Sequence, residues 1–121
     1  MLINLSNHPS ANWSAEQKQA AEQQFGKIVD LPFPTVDPDG DEEYIETLAN
    51  EYCGKVLECA KIQSITVHLM GEMTFTFALL QKLIFHGIPC VASTTRRETV
   101  EYPDGRKESF FKFVKFRCYG R

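Results

Sequence analysis

Apolar residues change their spacing several times along this chain, and each change marks an element. Residues 2–6 (LINLS) form an apolar run of strand length. Ser14, followed three positions later by Gln17, is a capping-box signature, so residues 15–25 read as a helix closed by Gly26. A second strand is expected over residues 27–31. The stretch PFPTVDPDG, residues 32–40, is a loop by its prolines, aspartates and glycine. Asp41, Glu42 and Glu43 then put negative charge where a helix N-terminus favours it. Ile45, Leu48, Ala49, Tyr52 and Val56 recur at helical spacing, with Gly54 a candidate bend or early end. Ile65, Val67 and Leu69 alternate with polar residues in a third strand. Residues 72–86 are the most apolar helix, ending at Gly87, and residues 88–92 read as a fourth strand. Last comes a hairpin: residues 98–102, a Pro103-Asp104-Gly105 turn, and a strand over residues 107–119.

Strand and helix alternating three times predict a parallel sheet with right-handed crossovers and helices on both faces. The expected fold is one small doubly wound, mostly parallel, Rossmann-like α/β domain over residues 1–121, with a C-terminal antiparallel β-hairpin. Ligands of such sheets bind beyond the carboxyl ends of the strands, where strand order reverses. In the last strand the pattern predicts Phe110, Val114, Phe116 and Cys118 on one face. Phe111, Phe113, Lys115, Arg117 and Tyr119 fall on the other. A strand apolar on both faces calls for cover on both. A helix on one side with a second copy of the chain on the other satisfies that, as does burial within one core.

Composition narrows the function classes. With 121 residues, 43% hydrophobic and 24% charged, the chain is ordinary for a water-soluble domain with one core. A net charge of −3 lacks the broad basic excess of proteins that bind long DNA or RNA. No apolar run is long enough to span a bilayer, and no signal peptide is apparent, so the expected setting is the cytoplasm. Cys53, Cys59, Cys90 and Cys118 form no C-x-x-C pair, which disfavours a zinc site and suits free thiols in a reducing compartment. No metal and no cofactor is expected.

The expected fold brings three strand ends to one rim: Ser6-Asn7-His8-Pro9, Gly71-Glu72-Met73-Thr74 and Ser93-Thr94-Thr95-Arg96-Arg97. Together they offer hydroxyls, an amide, an imidazole, a carboxylate and guanidinium groups. Arginine's planar, permanently charged fork suits phosphate oxygens. Gly71 allows close backbone approach, and the helix start after it presents N–H groups to an anion. Each residue also has a plainer explanation. Ser93, Thr94 and Thr95 can turn the chain, and Arg96 and Arg97 can be solvated charges. His8 can cap or pack beside the first helix, and Glu72 suits a helix's first turn. His68 is expected to face away from the rim and His86 to sit at a helix C-terminus, neither with a site role.

The segments GEMTFTFALL, CVASTTRRETVEYPDGRKE and FKFVKFRCY resemble the small single-domain CRISPR-associated proteins of the ring-nuclease group. That group carries a glycine-acidic turn before a T-F helix, a strand ending in A-T-T-x-R, and a hairpin closing on F-x-x-V-x-F-R-x-Y. Here Ser93 is inserted between the alanine and the threonine pair, and SNHPSANWSAEQ extends the first turn. The resemblance is good over residues 66–119 and looser before them. It implies a Rossmann-like domain related to CARF domains, which bind the cyclic oligoadenylates that serve as messengers in type III CRISPR antiviral defence. Ring nucleases cut these rings and switch the signal off. The implied roles are catalytic for His8 and Arg96. Ser6, Asn7, Gly71, Glu72, Met73, Thr74, Ser93, Thr94, Thr95 and Arg97 are implied to hold the ligand. A two-fold homodimer would match the internal symmetry of cyclic tetra-adenylate. Two other readings stand beside this one: a protein that sequesters the ring uncut, and an unrelated Rossmann-like domain for a mononucleotide or a protein partner.

Overall fold

Strand propensity and capping chemistry place nine elements in the computed structural model, which describes residues 1–120. Strand β1 is Leu2–Ser6, a 3-10 turn spans Ser10–Asn12, and helix α1 is Ala15–Phe25. Then come β2 (Ile28–Asp30), α2 (Glu42–Ala60), β3 (Thr66–Met70), α3 (Met73–Phe85), β4 (Cys90–Glu101) and β5 (Lys107–Cys118). The serine half of the capping box forms: the Ser14 hydroxyl accepts from the Gln17 N–H, and Gly26 closes α1 with φ of +86°. Asp41 caps α2 by accepting from the Tyr44 N–H. Gly54 does not end α2, which continues to Ala60. The glycine is exposed while Cys53 and Val56 on either side are buried, so packing carries the helix past it.

The five strands run in the order β2-β1-β3-β4-β5, parallel except for the antiparallel β4–β5 pair. Strand order therefore reverses between β1 and β3. Helix α1 covers one face, where Leu2, Trp13, Ala21, Val91 and Phe116 form a small core. Helices α2 and α3 cover the other, packing Ala49, Val56, Phe75, Leu79 and Leu83 on Ile3, Leu5, Val67 and Leu69. The expected α/β architecture holds. No described helix is long and apolar enough to cross a membrane.

Two expectations change in the C-terminal third. Residues 93–97 are no loop, because β4 runs unbroken from Cys90 to Glu101. Strand β3 pairs with β4 only at Val67↔Cys90 and His68↔Val91. Beyond that point β5 alone satisfies the β4 backbone, and the hairpin extends past the sheet as a two-stranded arm. The second change is a β-bulge. Thr94 pairs with Lys115 and Thr95 with Phe113, which leaves Val114 as an extra residue. The bulge inverts the alternation. Phe113 therefore meets Phe116 on the α1 side, with ring centroids 5.0 Å apart, instead of opposing it. Phe110, paired with Glu98, falls on the other side from Phe116, paired with Ser93. Tyr119 turns to the α2–α3 core, where its hydroxyl donates to the Leu69 carbonyl at 2.6 Å. The arm itself is uncovered: Phe110, Phe111 and Val114 are 45%, 72% and 44% exposed.

Candidate functional site

The turn after β1 is built around one carbonyl. The His8 C=O accepts from Asn4 Nδ2 at 2.9 Å and Trp13 Nε1 at 3.0 Å, while the Ser6 hydroxyl, 3.2 Å from it, donates to Asn4 Oδ1 at 2.8 Å. These bonds hold the turn, and the exposed His8 side chain then faces a groove of about 580 Å³ between the start of α1 and the hairpin arm. Trp13, His68, Thr95, Phe111, Lys112 and Phe113 are among its lining residues.

Beneath this groove a polar row crosses the sheet. Asn4 of β1 is aligned with Asp30 of β2 and His68 of β3, all on the α1 face. Asn4 Nδ2 donates to Asp30 Oδ1 at 2.8 Å, and Asn4 Oδ1 lies 2.9 Å from His68 Nδ1. His68 Nε2 lies 3.2 Å from Ser93 Oγ. Burial raises the Asp30 carboxyl, but hydrogen bonds from Asn4 and Ser10 outweigh it and leave the pKa below the usual value. His68 is 2% exposed, and burial, with the charge of nearby His8 adding to it, pulls its pKa down to about 4. It is a neutral imidazole at pH 7. The expectation that His68 faces away from the site is thereby corrected: it lies on the groove side, because the Asn4 amide and the Ser93 hydroxyl give a histidine partners on that face.

The structure brings Ser6, Asn7 and His8 together with the β3 end, where the Asn7 N–H donates to the Met70 carbonyl at 3.3 Å. Ser93 joins them through His68, and Thr95 through the groove. The other residues have different surroundings. Glu72 is the N-cap of α3 rather than a first-turn residue. Its carboxylate accepts from the Thr74 and Phe75 N–H groups at 2.7 and 3.0 Å and from the Thr74 hydroxyl. The Thr74 hydroxyl bond is the largest influence lowering the Glu72 pKa. The helix start that was expected to receive an anion thus already holds one from the chain itself. Met73, at the start of α3, is exposed. Thr94 donates its hydroxyl to the Lys115 carbonyl at 3.2 Å, and Arg97 donates to Ser109 Oγ at 3.2 Å. Arg96 is exposed on the arm, roughly 10 Å beyond Ser93 at strand rise. By alternation it points to the side of Cys90 and the α2–α3 core, opposite the groove.

Gly71 serves packing. A Cβ there would lie 2.1 Å from the Phe33 ring, so the loop after β2 closes over this part of the rim. Gly71→Ala should displace Phe33 and cost roughly 1–3 kcal/mol, the range for overpacking. Urea unfolding measures it; a loss under about 0.5 kcal/mol would show that Phe33 is not held against Gly71.

Asn4, Asp30, Trp13 and His68 belong to the site but escaped the motif reading. A signal was present: an amide in LINLS and an imidazole in TVHLM sit inside apolar strand runs, and a buried polar group demands a partner. The cysteines are free, and burial raises the Cys53 thiol and pushes Cys90 up to about 12, far from a reactive thiolate.

A family model described as the uncharacterized protein MJ1673 family matches residues 1–117. No curated protein and no solved structure matches the chain.

Proposed function

The chain belongs to the MJ1673 family, and we propose that it binds a cyclic oligoadenylate, such as cyclic tetra-adenylate, and opens the ring without a metal ion. The observation that carries this reading is the groove beside the strand-order reversal, where the His8 imidazole stands among aromatic side chains. Trp13, Phe111 and Phe113 offer flat surfaces for adenine stacking, which needs no base-specific hydrogen bonds. Asn12 and Gln17 on one side and Thr95 on the other supply polar contacts in the lining. Arg96, facing the other side of the arm, reaches a phosphate only from a second copy. The exposed Met73, Phe77 and Ile84 on α3, with the uncovered arm, suit such a homodimer.

The chemistry asks little of the protein beyond position. A ribose 2′-hydroxyl attacks the adjacent phosphorus, the bond to the 5′-oxygen breaks, and a 2′,3′-cyclic phosphate remains. The nucleophile is part of the ligand, so holding it in line with the leaving oxygen supplies much of the rate. His8 handles the proton, a role imidazole commonly fills near neutral pH. Incubating the protein with cyclic tetra-adenylate in EDTA should yield linear products ending in cyclic phosphate. His8→Ala should slow cleavage by about 100-fold or more while affinity changes by less than about threefold. Binding with no linear product would leave a protein that sequesters the ring. Absence of any binding would end the reading altogether.

A further inference from the structure

Ser93, His68 and Asn4 come from three strands and lie 25 and 64 residues apart, yet they form one hydrogen-bonded line. The protons in that line can be assigned. Asn4 Nδ2 donates to both Asp30 Oδ1 and the His8 carbonyl, so the amide oxygen must be the atom facing His68. An amide oxygen only accepts, so His68 Nδ1 carries the hydrogen and Nε2 presents a bare lone pair. That lone pair lies 3.2 Å from Ser93 Oγ. The serine hydroxyl is also 3.2 Å from the Met70 sulfur, and the Ser93 N–H donates to the same sulfur at 3.3 Å. A thioether is a weak acceptor beside an imidazole nitrogen, so the hydroxyl hydrogen goes to His68. Trp13 and Phe116 meet the imidazole edge-to-face, with centroids 5.2 and 5.7 Å from it, and fix its plane.

We propose that Ser93, His68 and Asn4 are a nucleophile, base and orienter, and that Ser93 accepts the acyl group of a small activated ester bound in the groove. The line has the three contacts that activate a hydroxyl: nucleophile to base, base to orienter, and an orienter itself held by Asp30. An amide in the orienting position fixes tautomer and ring direction, but unlike a carboxylate it lends the imidazolium no charge, so the base is a weak one. Ser93 is half-buried and is not itself part of the groove lining, so a substrate reaches it past its two neighbours. His68, beside Ser93, and Thr95, two residues along the same face, both line the groove. The lining of Trp13, Phe111 and Phe113 selects an apolar or aromatic acyl group over a charged one. In the reaction Ser93 Oγ bonds to the carbonyl carbon as its proton passes to His68 Nε2. The bond from that carbon to the alcohol oxygen breaks, and the alcohol leaves with the proton from His68. Water, deprotonated in turn by His68, then releases the acid and restores the hydroxyl. This inference uses Ser93 and His68 where the cyclic oligoadenylate reading uses His8, and both place their ligand in the same groove.

The test uses the whole protein and a fluorophosphonate probe, with the adduct located by peptide mass mapping, alongside turnover of p-nitrophenyl acetate. The expected result is one adduct per chain, on Ser93. Ser93→Ala should take no label while keeping its circular dichroism spectrum, and His68→Gln should label at least tenfold more slowly. Ester turnover should fall in parallel in both variants. No adduct at Ser93 in the unaltered protein overturns the proposal, as does a label on another residue. Labelling and turnover undiminished in a folded His68→Gln protein would reduce the line to a structural contact. Where His68→Gln does not fold, the unaltered protein and Ser93→Ala decide between the same outcomes.

Discussion

Acidification from pH 7 to pH 4 should cost the fold about 3 kcal/mol through His68 alone, at 1.36 kcal/mol for each unit of pKa. In the native state this imidazole titrates at about 4, against 6.5 in the open chain. Between those values the unfolded chain binds a proton that the folded chain refuses, so stability falls as pH drops through that window. Above it both states are neutral, below it both are charged, and the slope levels at either end. Burial is the main cause, with the His8 charge second, and the Asn4 and Ser93 contacts give the charged ring no carboxylate to lean on. Asp30 and Glu72, whose carboxyls titrate below their usual range, add a further loss at still lower pH as they are protonated. Urea midpoints measured from pH 8 to pH 4 should therefore slope steeply for this protein and much less for His68→Leu. Parallel curves for the two would mean that His68 takes up its proton without opposing the fold.

Phe75→Ala should remove about 3–5 kcal/mol, the usual cost of truncating a buried aromatic and leaving its cavity. Phe75 is fully buried in the first turn of α3, with Phe33 and Tyr52 edge-on to it at 5.2 and 5.5 Å. It joins α3, α2 and the loop after β2 at one point, so no single element can collapse into the void. Domains of this size hold only about 5–15 kcal/mol in total, which would leave the variant near its unfolding threshold at 37 °C. Phe75→Leu should recover more than half of the loss. A loss below about 1.5 kcal/mol in Phe75→Ala, by chemical denaturation, would show that the Phe33–Phe75–Tyr52 cluster repacks freely. The same variant probes the rim. Phe33 rests on both Phe75 and Gly71, so losing one support should loosen the loop beside Asn7.

Residues whose partners lie nearby in the chain were legible without coordinates. Ser14 with Gln17, Gly26, and the apolar stripe of α2 act within one or two turns, and each appears where local chemistry puts it. Glu72 shows the limit of that logic. Its place at a helix start was readable, but its choice of the Thr74 and Phe75 N–H groups over an outside ligand depends on one rotamer. The aromatic strand failed for a different reason. Alternation assumes that every residue has a cross-strand partner, and one unpaired Val114 moved Phe113 to the opposite face from the one its position implied.

By itself the sequence determined the α/β alternation, the helix boundaries set by their caps, the parallel sheet with its closing hairpin, and the rim to which β1, β3 and β4 lead. These follow from periodicity and short-range hydrogen bonding, which act along the chain. Tertiary structure alone decided that β4 continues as an arm, that Arg96 and Thr95 point to opposite sides of it, and that Gly71 is filled by Phe33. It alone aligned Asp30, Asn4, His68 and Ser93 into one line. Those outcomes depend on strand register and on pairings between residues up to 64 positions apart. Loop closure leaves such pairings open until the whole sheet is assembled.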